Sequence, residues 1–232
     1  DVLRARYESN ALAVASAVIM VIFFISTMVA QFVGAANLFQ AVTGYSYTWG
    51  LVIFGIAVIL FTTIGGFRGV AFTDTLCGIV MLAGIVILGW AILNAGGGLT
   101  NIMDTIREQD PAMLTPTDDG GMPLGLYFTQ WLLVGVFTFA LPQSMVRTMG
   151  FRDTHAMKSA IVSGTVILGA MMIGVTALGV LSRGVLTEPL SAYGTVDNII
   201  PAVIVETMPP WLAGFEIIGP IAASISTVSS LL

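Results

Sequence analysis

The chain has 232 residues, of which 56% are hydrophobic and only 9% are charged, and its formal net charge is −5. Soluble domains carry roughly 25% charged residues, so a fold surrounded by water would have too few polar side chains to cover this much apolar surface. We therefore predict an integral membrane protein. The basic residues are too dispersed for a nucleic-acid footprint, and the single cysteine, Cys77, cannot form an internal disulfide.

Long stretches without charge predict helices that cross the membrane. A helix needs about 20 apolar residues to cross the hydrocarbon core, whereas transmembrane strands would alternate apolar and polar residues over about 10 positions. The apolar stretches here do not alternate, so the predicted fold class is all-α. The charge-free stretches lie between Glu8 and Arg68, Asp74 and Asp104, Asp119 and Arg147, and Lys158 and Arg183.

We expect a single transmembrane domain with spans at about 11–36, 49–64, 70–93, 124–146, 160–181 and 211–232. The segments 96–123 and 183–210 would then be external loops. Each holds apolar residues at helical spacing, which predicts short amphipathic helices on the outer surface. These residues are Leu99, Ile102, Met103 and Ile106 in the first loop, and Val196, Ile199, Ile200 and Val203 in the second. Because the chain begins without Met and ends in an apolar run, we expect a piece of a longer protein.

The basic residues predict the orientation. Short cytoplasmic loops are enriched in Lys and Arg, and alternating spans place six of the basic residues on one side and two on the other. The larger group contains the N-terminal tail, which is therefore predicted to be cytoplasmic. The six are Arg4, Arg6, Arg68, Arg147, Arg152 and Lys158, and the two are Arg107 and Arg183.

The last span carries Ala223, Ser226 and Thr227 at positions i, i+3 and i+4, so the three residues share one helix face. An alkali cation needs several oxygen ligands, and two hydroxyls with a backbone carbonyl supply them without burying a net charge. More often, hydroxyls in membrane helices bond to their own backbone or join neighbouring helices. Spacing alone favours this second interpretation.

Two other features mark interruptions of the spans. The run Gly65-Gly66-Phe67-Arg68-Gly69 is predicted to break the helix between the second and third spans, because paired glycines rarely lie within one. Asp74 follows one turn into the third span, where it is a candidate exit for a cation and equally a candidate cap of the helix N-terminus. Pro142 lies inside the fourth span. Broken helices line transporter cavities, although simple kinks also use proline.

Glu216 is an acid well inside a predicted span. Carboxyls in such positions are usually functional because their burial is costly. Five residues past Trp211, however, Glu216 would lie only about 7 Å deep, within reach of water among the headgroups. Both interpretations stay open.

At these positions the chain resembles the solute:sodium symporter family, nearly from end to end. The family pattern for the cytoplasmic turn is two glycines, a short linker and an acid that opens the next helix, and Gly65 to Asp74 match it. The other segments that carry the resemblance are Leu3 to Ser9, Gln31 to Gly34, Asp110-Pro111 with Thr115-Pro116, Leu141-Pro142 with Val146-Arg147, and Ala222 to Thr227.

The resemblance implies an inverted-repeat fold of the leucine-transporter type, built of two five-helix halves, in which the six spans would be core helices three to eight. It implies a multi-pass protein of the plasma (inner) membrane that drives symport of a small organic solute by alternating access. Pantothenate is the expected solute, with proline, a sugar or a carboxylate as alternatives. Sodium is the expected coupling ion, and neither a cofactor nor another metal is expected.

By the same resemblance, Ala223 would offer its carbonyl to the coupling sodium, and Ser226 and Thr227 would offer their hydroxyls. Asp74 would act in sodium release or at a second ion. Glu216 departs from the family pattern, which has an apolar residue there, and it receives no role. The residues that fall in the substrate region are Phe137, Thr138, Pro142 and Gln143.

Two other classes of protein were weighed against a carrier. A transporter-like channel or sensor, which binds solute without coupled flux, would keep the same hydroxyl face. A membrane-embedded enzyme would need inward-facing pairs of acids or histidines, whereas His155 stands alone and no nucleophile or nucleotide-binding motif is present. An enzyme is therefore not predicted. The expected partners are the lipid bilayer, sodium and a small solute, without nucleic acid.

Overall fold

The computed structural model describes the backbone of residues 2–109, 111–186, 190–194 and 198–231, and their side chains except at 2, 67, 68, 118, 138–140, 143, 145–147, 190 and 191. Asp110, Val196 and the side chains of Arg68 and Arg147 therefore lie outside the described residues. The described part is helical almost throughout and contains no strand, which confirms the all-α fold class. Its helices are α1 (Val2–Tyr7), α2 (Asn10–Thr43), α3 (Tyr47–Ala95), α4 (Leu99–Gln109), α5 (Leu124–Ala140), α6 (Pro142–Met149), α7 (Thr154–Arg183), α8 (Ile199–Thr207), α9 (Pro210–Glu216) and α10 (Ile218–Leu231), with 3-10 turns at Pro111–Leu114, Asp118–Gly120 and Leu190–Tyr193.

Among the described residues, five helical segments are long and apolar enough to cross a membrane. A sixth apolar segment, Leu124–Phe137 in α5, is shorter than the roughly 20 residues that a crossing needs. The apolar character comes from every face of these helices, as expected where the solvent is lipid. The five long segments are Asn10–Thr43, Tyr47–Gly66, Gly69–Ala95, Thr154–Arg183 and Pro210–Leu231.

The structure differs from the prediction over 124–146, which is two helices rather than one span. α5 ends at Ala140, Leu141 is extended with φ −63° and ψ 129°, and α6 starts at Pro142. Proline has no N–H to continue the helix, and its ring disfavours the helical conformation of the residue before it. Leu141 therefore leaves the helical region, and the break lies where the proline predicts it.

The interruption expected at Gly65–Gly69 is confined to one residue. Gly66 has φ 52° and ψ −165°, a conformation that only glycine adopts readily, and the helix continues on both sides of it. α3 is therefore two spans joined at a kink, instead of two helices separated by a five-residue loop.

Caps set the ends of the longest helices. The Ser9 side chain accepts a hydrogen bond from the N–H of Leu12 and starts α2 one residue before the predicted span. At α7, Asp153 accepts from the N–H of Ala156 at 2.8 Å, so this helix begins well before the predicted 160. The bond from Ala156, followed by that from Arg152, lowers the pKa of Asp153. The cap is therefore charged at neutral pH, as the positive end of the helix dipole favours.

The chain divides into two compact units, and the first contains Asp1–Gly78 and Pro220–Leu232. In it α10 packs against α2 and the first part of α3. The rings of Phe32 and Phe54 meet edge to face with centroids 4.9 Å apart. The buried core residues are Ala35, Phe54, Val58 and Val228, surrounded by Met28, Phe32, Ile221 and Ile225.

The second unit, Ile79–Gly219, has a larger apolar core to which α3, α4, α7, α8 and α9 contribute. The two loop helices supply part of this core. α4 buries Ile102 and Ile106 completely, and α8 buries Val203 and Ile204 completely. Apolar residues at i and i+4 identify a buried face, but they do not distinguish a lipid surface from a protein core. Whether 96–123 and 183–210 are external stays a prediction.

Gly184, which follows α7, provides a test of this packing. A Cβ atom at Gly184 would lie 2.8 Å from the carbonyl oxygen of Ile102 in α4. Because backbone atoms cannot move aside as a flexible side chain can, we expect Gly184→Ala to lower the free energy of unfolding by about 1–3 kcal/mol. The measurement is denaturant unfolding of the full-length protein in detergent.

Gly179→Ala is the matched control, because Gly179 lies in α7 and a Cβ there meets nothing within 4 Å. This change should keep the stability or raise it by up to about 1 kcal/mol, since alanine favours helix. Equal stabilities for the two variants would show that α4 does not pack against Gly184.

Candidate functional site

The candidate site lies in the first unit, where α10 meets α3. Three apolar residues of α10, spaced by one helical turn, enter the core of this unit and hold the helix against α2 and α3. This packing places the hydroxyl-bearing residues of the same helix beside α3. The three apolar residues are Ile221, Ile225 and Val228.

Ser226 and Asp74 are in direct contact. The Ser226 hydroxyl donates a hydrogen bond of 2.7 Å to Oδ1 of Asp74, and both side chains are half-buried. The two residues are 152 positions apart in the sequence. Asp74 lies within the helix that follows the Gly66 kink, not at its first residue.

Thr227 and Ala223 are also partners, but within one helix. The Thr227 hydroxyl donates to the carbonyl oxygen of Ala223 at 2.9 Å. Ser229 and Ser230 bond in the same way to the carbonyls of Ser226 and Thr227, at 3.1 and 2.8 Å. Such bonds are the usual role of hydroxyls in membrane helices. Ser226 differs from these neighbours, because its hydrogen bond goes to an acid on another helix.

The chemistry of these groups suits a monovalent hard cation. The carboxylate of Asp74, the hydroxyls of Ser226 and Thr227 and the carbonyl of Ala223 are all oxygen donors, and only one of them carries a charge. Among the described residues no group of three or more His, Cys, Asp or Glu side chains could hold a metal ion. One carboxylate with neutral hydroxyl and carbonyl oxygens is a set of donors that an alkali cation can take.

The residues predicted for the substrate region belong to the second unit. Phe137 lies in α5 and is exposed, and Pro142 starts α6 and is half-buried, so the two flank the break between these helices. The side chains of Thr138 and Gln143 lie outside the described residues. Nothing in the described part joins Phe137 and Pro142 by a side-chain bond.

Glu216 is the residue whose position the sequence left undecided. Its side chain is only 4% exposed in the second unit, so the interpretation that it reaches water among the headgroups is wrong for this structure. A Cβ atom at Gly84 would lie 3.1 Å from Oε1 of Glu216. Gly84 and Glu216 lie far apart in the chain, so no periodicity in the sequence predicts that they are neighbours.

Long apolar helices that are interrupted at Gly66 and Leu141, with an acid of one span bonded to a hydroxyl of another, are typical of a multi-pass membrane protein of the transporter class. The model of the Sodium:solute symporter family matches the chain over residues 1–232. The chain belongs to this family, whose members are symporters and not enzymes.

Individual members of the family also match nearly the whole chain. The chain is 34% identical to the sodium/pantothenate symporters of Escherichia coli (strain K12) and of Haemophilus influenzae, over 233 and 234 residues that cover 100% of this chain and 47% of each relative. It is 26% identical to the sodium/proline symporter of Escherichia coli (strain K12), over 99% of this chain and 46% of the relative. The chain spans about half the length of the curated relatives it matches. No solved structure matches it.

Proposed function

We propose that the full-length protein is a sodium-coupled symporter that carries pantothenate across the plasma membrane by alternating access. The bond between Ser226 and Asp74, next to Thr227 in the chain, supports sodium coupling because it brings a charged and a neutral oxygen together between two spans. The higher identity to sodium/pantothenate symporters supports the solute. Proline is the second candidate, because sodium/proline symporters match nearly the whole chain as well.

The proposed sodium site works by exchange of partners. In the structure the Ser226 hydroxyl donates to Asp74, and the Thr227 hydroxyl donates to the carbonyl of Ala223. When sodium enters, each hydroxyl turns its oxygen to the ion, and Ser226 donates to its own helix instead. Asp74 supplies the negative charge that offsets the charge of the ion. Binding is therefore reversible, since neither state leaves a buried polar group without a partner.

Orientation connects this site to the transport cycle. The six-to-two distribution of basic residues supports a cytoplasmic N-terminal tail, with the Gly66 kink on the same side. Asp74 is the first acid after that kink and would lie toward the cytoplasmic end of its span. A sodium ion leaving for the cytoplasm would then pass Asp74. Sodium and solute both favour the same closed state of the carrier, and this shared preference couples their fluxes.

The first test measures flux. Full-length protein in liposomes should accumulate labelled pantothenate when sodium is higher outside, and a sodium ionophore should abolish the accumulation. Counterflow of labelled pantothenate should likewise require sodium. A channel would equilibrate the solute without accumulating it, and a sensor would bind it without flux. Accumulation of proline instead of pantothenate would favour the second candidate.

The second test concerns the hydroxyls of α10. Losing one neutral ligand should weaken sodium binding by about 1–3 kcal/mol. The sodium concentration for half-maximal uptake should then increase by about tenfold to a hundredfold. We expect this increase for Ser226→Ala and for Thr227→Ala at unchanged protein levels, with Thr227→Ser mild. Ser230→Ala is the control, because Ser230 carries a hydroxyl on the same helix but is not assigned to the sodium site. Wild-type sodium dependence in both alanine variants would contradict the assignment.

The third test concerns the break before α6. Replacing Pro142 restores an N–H and frees Leu141 to become helical, which favours one continuous helix by about 3 kcal/mol. Pro142→Ala should therefore impair uptake strongly while membrane insertion stays normal. Pro123→Ala is the control, because Pro123 precedes α5 and interrupts no helix. Normal uptake by Pro142→Ala would show that the break serves no transport step.

A further inference from the structure

Glu216 is a buried acid that the proposed sodium site does not use. It ends α9, within the candidate span Pro210–Leu231, and its side chain is 4% exposed. Its Oε2 atom is buried and has no hydrogen-bond partner among the described residues. Its other oxygen, Oε1, lies against α3, where a Cβ atom on Gly84 would come within 3.1 Å. Because Gly84 has no side chain, the carboxyl of Glu216 can lie directly against the backbone of α3.

Among the described residues, no ion pair compensates the charge of this carboxyl. The part of α3 within the second unit, 79–95, has no titratable residue. α8, which also packs against α9, has one titratable residue, Glu206, whose exposed carboxylate accepts a hydrogen bond from Tyr193 at 3.0 Å. Arg183 ends α7, and none of the described residues forms an ion pair with Glu216. Ala213, one helical turn before Glu216 in α9, belongs to the apolar core of the second unit.

An ionised carboxylate in this environment would be a buried charge without a partner, which is among the least favourable arrangements in a protein. Two kinds of ligand remove that charge: a metal cation or a proton. Sodium needs several oxygen ligands in addition to one carboxylate, and among the described residues Glu216 belongs to no group of three or more His, Cys, Asp or Glu side chains that could hold a metal ion. A proton needs only the carboxyl itself.

We propose that Glu216 is a proton-binding site within the membrane domain, occupied while the carboxyl packs against Gly84. An arrangement that opens this contact would expose the carboxyl to water and release the proton. By linkage, acid favours the packed arrangement and alkali favours the open one. The site is independent of the identity of the solute, and it adds a proton equilibrium to a protein proposed above to use sodium.

The test labels the acid chemically in full-length protein in liposomes. Dicyclohexylcarbodiimide enters lipid and adds the O–H of a protonated carboxyl across its C=N bond, and peptide mass spectrometry locates the product. We expect Glu216 to be labelled, with a yield that falls about tenfold per pH unit once the carboxyl ionises. Glu216→Gln should lose the label, whereas the control Glu206→Gln should keep it.

Infrared spectroscopy of the same samples detects the C=O stretching band of a protonated carboxyl without any reagent. The wild-type protein should show this band, and Glu216→Gln should lack it. The proposal is supported if the labelling yield of Glu216, or the intensity of the Glu216-dependent band, falls as the pH rises. It is overturned if neither the label nor the band is detected. Protection of Glu216 by sodium relative to choline, at constant pH, would identify a metal-cation site and also overturn it. Neither readout requires transport, so the proposed solute and the proton site are tested separately.

Discussion

Hydrocarbon forms no hydrogen bonds, so a polar group in a membrane span must find its partner inside the protein, and several of the described hydroxyls follow this constraint. Ser16, Thr27, Thr62 and Thr165 each donate to the carbonyl four residues earlier in their own helix, at 2.8–3.0 Å. These hydroxyls are satisfied locally, so they need no other helix. Ser226 is satisfied by an acid on α3 instead. Its bond joins two spans, and it is the feature from which the proposed ion site is built.

Two acids lie within the candidate spans, and they meet the same constraint differently. Asp74 is half-buried and accepts a hydrogen bond from Ser226, so its charged form has a donor beside it. Glu216 is more deeply buried, and its Oε2 has no donor among the described residues. A carboxylate with a donor and neighbouring oxygens suits exchange of a metal cation, whereas a carboxyl without them suits a proton. The residue type is nearly the same, and the surroundings decide its chemistry.

Hydropathy located the long helices well but not their ends. The expected spans 11–36, 70–93 and 160–181 all fall inside α2, α3 and α7. α2 and α7 begin before their apolar runs, because the caps Ser9 and Asp153 start them earlier. The run Gly65–Gly69 and Pro142 are predicted as interruptions for local reasons, because paired glycines rarely lie within a helix and proline has no N–H to continue one, and the structure has breaks at Gly66 and Leu141. The apolar stripes of α4 and α8 were recognised as helical, but their burial in a protein core was not.

The sequence by itself determined that this chain crosses the membrane as helices, where those helices bend, and which residues carry oxygens in the spans. The spans could be predicted because hydrocarbon favours apolar side chains at every position of a span. The bends could be predicted because glycine and proline change the conformation of their own backbone. The tertiary structure alone decided that Ser226 contacts Asp74, that Glu216 is buried against Gly84, and that Ile102 of α4 lies against Gly184. These contacts join residues far apart in the chain. They depend on how the surfaces of helices fit together, and no periodicity within a single helix records that fit.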